Sequence, residues 1–233
     1  MSASPLVVAI DGPSGAGKST VARALADRLG VPYIDTGAMY RAVGLAVRSA
    51  GHALPLEHPD AVAAIADSLR VELVPDPRGA RVLLDDQDVT EKIREPEISL
   101  YASAVSAIPG VRRRLVSEQQ RLGRLRGGVM EGRDIGTRVF PDAPFKFFLT
   151  APPAVRALRR ALELARRGRP EPYEKVLSEM ETRDRDDATR ADSPLTLDDR
   201  YILVDTDGLS PEGVVEQLAR RIAAGPPAPP PAG

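Results

Sequence analysis

A glycine-rich stretch that ends in a lysine and a serine is the part of the chain best suited to chemistry. It fits the pattern G-x-x-x-x-G-K-[ST] without a mismatch and reads Gly12-Pro13-Ser14-Gly15-Ala16-Gly17-Lys18-Ser19. Glycines let backbone N–H groups turn toward phosphate oxygens, and Lys18 adds a mobile positive charge. The Ser19 hydroxyl is suited to ligate Mg²⁺. We predict that this loop, extended to Thr20, binds the phosphates of a nucleotide.

The residues on both sides of this loop give it the context that such a loop requires. Leu6 to Ile10 form an apolar run of strand length, and Val21, Leu25 and Leu29 follow at the spacing of one helix face. A chance glycine-rich turn is the plain alternative. A strand before the loop and a helix after it argue against that alternative and place phosphate at a helix N-terminus.

Short apolar runs alternate with helical periods along much of the chain, which is typical of an α/β sheet protein. We predict core strands at 31–34, 129–131, 145–149 and 201–205 in addition to the first. Helices are predicted at 38–48, 154–167 and 211–223, with another helix reaching about residue 182. The expected fold is α/β, a P-loop NTPase-type five-stranded parallel sheet flanked by helices.

Alternating apolar residues at 71–73 and 82–84 flank a turn at 75–79 and predict an antiparallel hairpin. Such a hairpin within a parallel α/β chain indicates an insertion. We predict a small α+β subdomain at 60–110, a core at 1–59 and 111–223, a helical lid at about 154–182, and a disordered proline-rich tail at 224–233.

Composition excludes several classes of protein. The 233 residues include no cysteine, which excludes disulfides and thiol catalysis. Their net charge of −1 does not favour a polyanionic partner such as nucleic acid. The N-terminal apolar run is too short for a signal peptide or a membrane span. We expect a cytoplasmic monomer that binds neither nucleic acid nor membrane.

A phosphate-binding loop alone is compatible with a GTPase, a motor ATPase or a small-molecule kinase. The chain has no asparagine, so it lacks the N-K-x-D segment with which a GTPase reads guanine. Asp85 and Asp205 both follow apolar runs, but neither is well placed to hold Mg²⁺ for a motor ATPase. Transfer of a phosphoryl group to a small acceptor is therefore the leading class.

Arginines near strand ends would suit an acceptor that is itself a phosphate ester, because guanidinium groups bind phosphate in bidentate fashion. Arg41 follows the second strand, Arg133 follows the third, and Arg183 and Arg190 lie after the lid. Arginine is abundant in this chain, so a solvated surface charge is the plain interpretation for any one of them. The position of Arg41 and Arg133 at strand ends favours a ligand for these two.

Four segments closely resemble the bacterial cytidylate kinase family. They are 11–18, Asp35-Thr36-Gly37-Ala38-Met39-Tyr40-Arg41, Glu131-Gly132-Arg133-Asp134-Ile135-Gly136-Thr137-Arg138-Val139-Phe140-Pro141-Asp142-Ala143, and the tract Arg183-Asp184-x-x-Asp187-x-x-Arg190. Their order and spacing match over about residues 5–223. The resemblance implies transfer of the γ-phosphoryl group of ATP to CMP or dCMP with Mg²⁺.

The resemblance also implies roles for individual residues. Lys18, Arg133, Arg183 and Arg190 would be catalytic, and ATP would contact residues 12–20 and a lid arginine such as Arg159. The acceptor phosphate would be held by Arg41, Arg133 and Arg190, and the pentose by Arg183 and Asp187. Cytosine would be read by Ser103, Arg112 and Asp134, and Thr36 would supply a hydroxyl to the acceptor site. Two departures are small: Thr36 stands where many relatives have Ser, and Glu131 where Asp is frequent.

Two alternatives stay open at this point. A kinase of another small substrate, such as UMP or a shikimate-like compound, would share the same phosphate loop. A nucleotide-gated RNA-binding protein would explain the arginine-rich helix at 111–126, although no aromatic residues interleave its arginines for stacking on bases.

Overall fold

The computed structural model describes residues 5–76 and 79–226. Its strands are β1 Val7–Asp11, β2 Tyr33–Asp35, β3 Val71–Asp76, β4 Gly79–Leu84, β5 Gln87–Asp88, β6 Gly128–Glu131, β7 Phe145–Thr150 and β8 Ile202–Asp205. Its helices are α1 Lys18–Leu29, α2 Thr36–Ser49, α3 Pro59–Ser68, α4 Pro96–Ser106, α5 Pro109–Arg126, α6 Pro153–Arg166, α7 Tyr173–Thr189 and α8 Pro211–Ala223. Short 3₁₀ and π segments lie at Lys92–Arg94 and Ile135–Val139.

The predicted five-stranded parallel sheet is confirmed, with strand order β2-β6-β1-β7-β8. β7 pairs in parallel with β1, where Ile10 lies opposite Phe147, and with β8, where Leu149 lies opposite Val204. Every residue of β1 is buried, which explains why its sequence is an unbroken apolar run that ends in an acid.

Contacts divide the described chain into two compact units. The first comprises Val31–Met130 with the segment up to Leu6, and the second comprises Val7–Gly30 and the chain from Glu131 onward. The first unit has its own apolar core around Met39, Val43, Ile98 and Val105. The second unit carries the glycine-rich loop, α6, α7 and α8.

The first unit contains the antiparallel hairpin that the alternating residues predicted. β3 pairs with β4 from Val71 opposite Leu84 to Asp76 opposite Gly79, and β4 pairs with β5. The strands are longer than predicted, and the five-residue turn is correspondingly shorter. Its centre, residues 77 and 78, falls outside the described residues, as do residues 227–233 of the predicted tail.

Two predicted helix bounds differ from the structure. The arginine-rich helix predicted at 111–126 begins two residues earlier, at Pro109, because proline is tolerated in a first helical turn. α7 was predicted to end near residue 182 but continues to Thr189, since the intervening tract contains neither glycine nor proline. In the described ranges, no helix is both long and apolar enough to cross a bilayer.

Candidate active site

The glycine-rich loop joins β1 to α1 with the backbone that only glycine adopts easily. Gly17 stands before α1 with a φ of 87°, in the left-handed region. A Cβ on Gly12 would lie 2.0 Å from the carbonyl oxygen of Leu149 on β7, so the loop starts in direct contact with the neighbouring strand. The loop therefore has the strand–loop–helix geometry of a phosphate cradle.

Lys18 is buried and folds back over the loop, where its Nζ donates to the carbonyl oxygen of Pro13 at 2.8 Å. Burial and, to a smaller extent, the charge of Arg133 lower the pKa of Lys18 to about 7, although Glu131, Asp11 and Asp187 act in the opposite direction. A desolvated ammonium at this position would gain strongly from an anionic ligand.

Ser19 and Thr20 follow in the first turn of α1 with exposed side chains. Among the described residues, no group of three or more His, Cys, Asp or Glu side chains could hold a metal ion by itself. Mg²⁺ bound to nucleotide commonly takes one or two protein ligands and completes its shell with phosphate oxygens and water. An exposed hydroxyl beside the loop fits such a shared ion.

Asp11, the last residue of β1, is fully buried and accepts three hydrogen bonds. The N–H groups of Ile135 and Gly136 donate to its Oδ1 and Oδ2 at 3.0 and 2.9 Å, and the Tyr201 hydroxyl donates to Oδ2 at 2.7 Å. Burial raises the pKa of Asp11 to about 6, although these donors lower it in part. The carboxylate thus fixes the turn that follows Gly132-Arg133-Asp134.

Three arginines named in the sequence analysis lie around Asp187: Arg133 just after β6, Arg183 on α7 and Arg190 just after α7. Arg133 Nε donates to Asp187 Oδ2 at 2.7 Å, and Arg190 Nη1 lies 3.7 Å from Oδ1. Burial opposes ionisation of Asp187, but Arg133, Arg183 and Arg190 together hold its pKa below the usual range. Three arginines around one carboxylate leave a net positive charge, which suits a dianionic phosphate.

In the other unit, Asp35 caps α2 and holds Arg41. Its carboxylate accepts from the Ala38 N–H at 2.8 Å and from Arg41 Nη2 at 3.0 Å. An aspartate at a helix N-cap is favoured because it satisfies an otherwise unpaired N–H. Thr36 begins the same helix and is buried.

The three residues predicted to read cytosine are divided between the two units. Arg112 is buried on α5, with its Cζ 5.9 Å from the centre of the Tyr40 ring and Nη1 3.4 Å from the Ser106 carbonyl oxygen. Ser103 lies one turn before Ser106 on α4 and accepts from the Ser106 hydroxyl through its carbonyl. Asp134 is buried in the second unit, where its charge raises the pKa of Asp11.

Arg159, predicted to contact ATP, lies on α6 and binds the segment after β8. Its Nη1 and Nη2 donate to the hydroxyl and carbonyl oxygens of Thr206 at 2.9 and 2.7 Å. The Thr206 hydroxyl in turn lies 3.3 Å from the carbonyl oxygen of Ala16 in the loop. The structure therefore connects Arg159 to the loop through Thr206.

Sequence reasoning missed Arg156, which is the arginine most tightly built into the loop. It is 4% exposed, and it donates from Nε to the Ala151 carbonyl and from Nη1 to the Ser14 carbonyl, both at 2.9 Å. Nη1 also lies 2.6 Å from Oδ2 of Asp184 on α7. No signal singled it out, because the surrounding helix carries several other arginines.

Comparisons with known proteins agree with one another. The family model described as Cytidylate kinase matches residues 8–224. A Cytidylate kinase of Caldanaerobacter subterraneus subsp. tengcongensis is 49% identical over 92% of this chain and 93% of its own, and one of Rhodococcus opacus is 48% identical over 94% and 95%.

Two further comparisons concern a longer relative and a solved structure of low sequence identity. A Bifunctional pantoate ligase/cytidylate kinase of Prochlorococcus marinus is 50% identical over 91% of this chain, which spans 42% of that protein. Among solved structures, an uncharacterized protein from Eubacterium ventriosum matches with a TM-score of 0.51 at 14% identity, over 94% of this chain and 98% of that one. This last likeness concerns the fold alone.

Proposed function

Because the chain belongs to the cytidylate kinase family, we propose that it transfers the γ-phosphoryl group of ATP to CMP or dCMP, forming ADP and CDP or dCDP. The observation that supports this most is the cluster of Arg133, Arg183 and Arg190 around Asp187, in the same unit as Lys18. A triphosphate loop and a cationic acceptor site are what this reaction requires.

Positioning and neutralisation of charge would supply most of the rate. The attacking phosphate of CMP is already an anion near neutral pH, so no general base is needed. Lys18 would hold the β and γ phosphates, and Arg133, Arg183 and Arg190 would offset the charge that develops on the transferring group. Ser19 would hold Mg²⁺, and the ion would supply further positive charge against that of the phosphates.

Acceptor recognition is proposed to divide by chemical group. Arg41, Arg133 and Arg190 would hold the phosphate, Arg183 and Asp187 the pentose, and Thr36 would add a hydroxyl. Ser103, Arg112 and Asp134 would read the base. Cytosine presents an N4 amine donor beside N3 and O2 acceptors, so a carboxylate with a guanidinium and a hydroxyl is complementary.

Uracil reverses the donor pattern at positions 3 and 4. An aspartate facing its O4 would lose a partner, at a cost of about 1–3 kcal/mol, so UMP should be the poorer acceptor. We further propose that residues 60–110 form the insert that binds the monophosphate and that 154–182 act as the lid over ATP. The protein would act as a cytoplasmic monomer without nucleic acid or membrane.

A coupled assay for ADP tests this proposal. CMP, dCMP, UMP, AMP, GMP and shikimate are compared as acceptors, and CMP or dCMP should give the highest kcat/KM. Lys18→Ala should lower kcat by at least about 100-fold, the scale of losing one transition-state contact. Lys92→Ala, which removes an exposed lysine, should leave kcat unchanged. Preference for another acceptor, or near-normal turnover by Lys18→Ala, would reject the proposal.

A further inference from the structure

Arg156 connects the glycine-rich loop to α7 through a single nitrogen. Its Nη1 lies 2.9 Å from the Ser14 carbonyl oxygen and 2.6 Å from Asp184 Oδ2. Because one nitrogen of a planar guanidinium makes both the hydrogen bond to Ser14 and the ion pair with Asp184, neither contact can shift without moving that group. Asp184 is therefore one of the groups that position the guanidinium holding the Ser14 carbonyl.

Holding this carbonyl also orients the next amide. The peptide bond between Ser14 and Gly15 is planar and trans, so its N–H points away from its C=O. With the Ser14 oxygen bound to Arg156, the Gly15 N–H points in the opposite direction within the same peptide plane, away from Arg156. Amide directions in such a loop decide how well it receives phosphate oxygens.

Packing reinforces the connection between the loop and both helices. A Cβ on Gly15 would lie 2.8 Å from Met180 Cε on α7 and 3.0 Å from Arg156 Cβ on α6. Arg156 is also anchored at its other end, since Nε donates to Ala151. The loop cannot shift without moving these side chains, because close-packed interiors transmit displacement.

Asp184 stands on α7 between residues that the proposed function assigns to the acceptor. Arg183 precedes it, and Asp187 lies one turn later. The charge of Asp184 also reaches Arg133: burial lowers the pKa of Arg133, but Asp187, Glu131 and Asp184 raise it overall. Asp184 is thus in contact with the donor side through Arg156 and near the acceptor side through its helix.

We propose that Arg156 and Asp184 are positioning residues that couple the two substrates, so that an acceptor bound on α7 improves the loop for ATP and the reverse. This inference rests on the proposed function and adds that the binding of ATP and the binding of the acceptor are thermodynamically linked. Linkage requires that each nucleotide change the affinity of the other by the same factor. In this proposal, the pair acts on binding through the Ser14 carbonyl.

The test measures that factor by calorimetry on the full-length protein. The Kd of CMP is determined with and without a non-hydrolysable ATP analogue and Mg²⁺, in wild type and in Asp184→Asn. The wild-type Kd should fall at least about 5-fold in the presence of the analogue, the lower end of typical coupling. In Asp184→Asn the factor should fall to about 2 or less, because an uncharged amide holds Arg156 less firmly.

Glu216→Gln provides the matched control. Glu216 on α8 pairs with Arg28 on α1 at 2.5 Å, so this change also removes an ion pair between two elements of the same unit, but away from the loop. The coupling factor should stay at its wild-type value. A double variant, Arg156→Met with Asp184→Leu, replaces the pair by apolar side chains and keeps the proposal testable if Asp184→Asn unfolds.

The outcomes separate the linkage from the proposed function. Loss of coupling in Asp184→Asn and in the folded double variant, with coupling kept in Glu216→Gln, supports the inference. A wild-type factor near 1, or an unchanged factor in either variant, overturns it even if CMP is phosphorylated normally. Failure of the wild type to bind or phosphorylate CMP would instead reject the proposed function.

Discussion

At the scale of single residues, the site combines charges that the fold holds at a cost. Lys18 is buried with a lowered pKa, and Asp11 is buried with a raised one. Asp187 stays ionised only because arginines surround it. Shifted pKa values of this kind cluster at functional sites, where a charged ligand would interact with these groups.

Lys18 should take up a proton when ATP binds. With a pKa of about 7, it is mostly neutral at pH 8, and the negative phosphates would raise its pKa again. Calorimetry at pH 8 in buffers of different ionisation enthalpy should show uptake approaching one proton for each ATP bound.

Lys18→Met provides the reference for this measurement. This variant lacks the titrating group, so its ATP-binding enthalpy should depend less on the ionisation enthalpy of the buffer than that of the wild type. Equal proton uptake by the two proteins would show that Lys18 is already charged before ATP arrives.

At the scale of elements, residue spacing predicted the strands and helices that a local pattern defines. It did not predict contacts between residues that are distant in the sequence. The glycine-rich loop, the flanking strands and the hairpin follow from motifs and periods that a few neighbouring residues define. The extra length of α7 was missed because the predicted helix ended before the tract of arginines and aspartates, although none of these residues breaks a helix.

Arg156 and Asp11 show the other limit of sequence reasoning. Arg156 is one arginine in a helix that contains several, and only the fold brings it to Ser14 and Asp184. Asp11 is 124 residues from Ile135 and 190 from Tyr201, so its three donors share no local pattern. Long-range contacts of this kind are determined by the sheet and cannot be obtained from spacing.

Close helix packing in the first unit makes Gly44 on α2 sensitive to substitution. A Cβ there would lie 3.0 Å from both the Ala102 nitrogen and the Tyr101 Cβ on α4. Gly44→Val should therefore lower the free energy of unfolding by about 1–3 kcal/mol, as overpacking does. Urea unfolding measures this change.

Gly213→Val is the matched control on another helix. Gly213 lies in the first turn of α8, and a Cβ there would meet only the Ser210 hydroxyl at 3.6 Å. Its unfolding free energy should change by no more than about 0.5 kcal/mol. Similar losses in both variants would attribute the effect to valine in a helix and not to packing against α4.

At the scale of the whole molecule, the net charge of −1 and the pairing of basic groups argue against a nucleic-acid partner. On the arginine-rich helix α5, Arg112 is buried, and Arg114 and Arg121 both pair with Glu118. Half of the six arginines of this helix are thus buried or paired within the protein, which reduces the positive charge offered to a continuous phosphate backbone.

Binding of single-stranded RNA should accordingly be weak and only slightly dependent on salt. We expect a slope of log K against log salt shallower than about −1.5, equivalent to about two phosphate contacts. Fluorescence anisotropy with a labelled oligonucleotide measures it, and an Arg113→Gln, Arg124→Gln, Arg126→Gln triple variant should bind no differently. A slope near −4, lost in the triple variant, would instead support the RNA-binding alternative.

Helix α7 runs without a break through all 17 of its residues, from the predicted lid to the acceptor tract. Each residue of a helix turns the chain by about 100°, so one extra residue before Arg183 would rotate Asp184 away from Arg156 and Asp187 away from Arg133. Insertions and deletions in natural variants should therefore fall within residues 167–172, the loop between α6 and α7. The unbroken length of α7 fixes the directions in which Asp184 and Asp187 project from the helix axis.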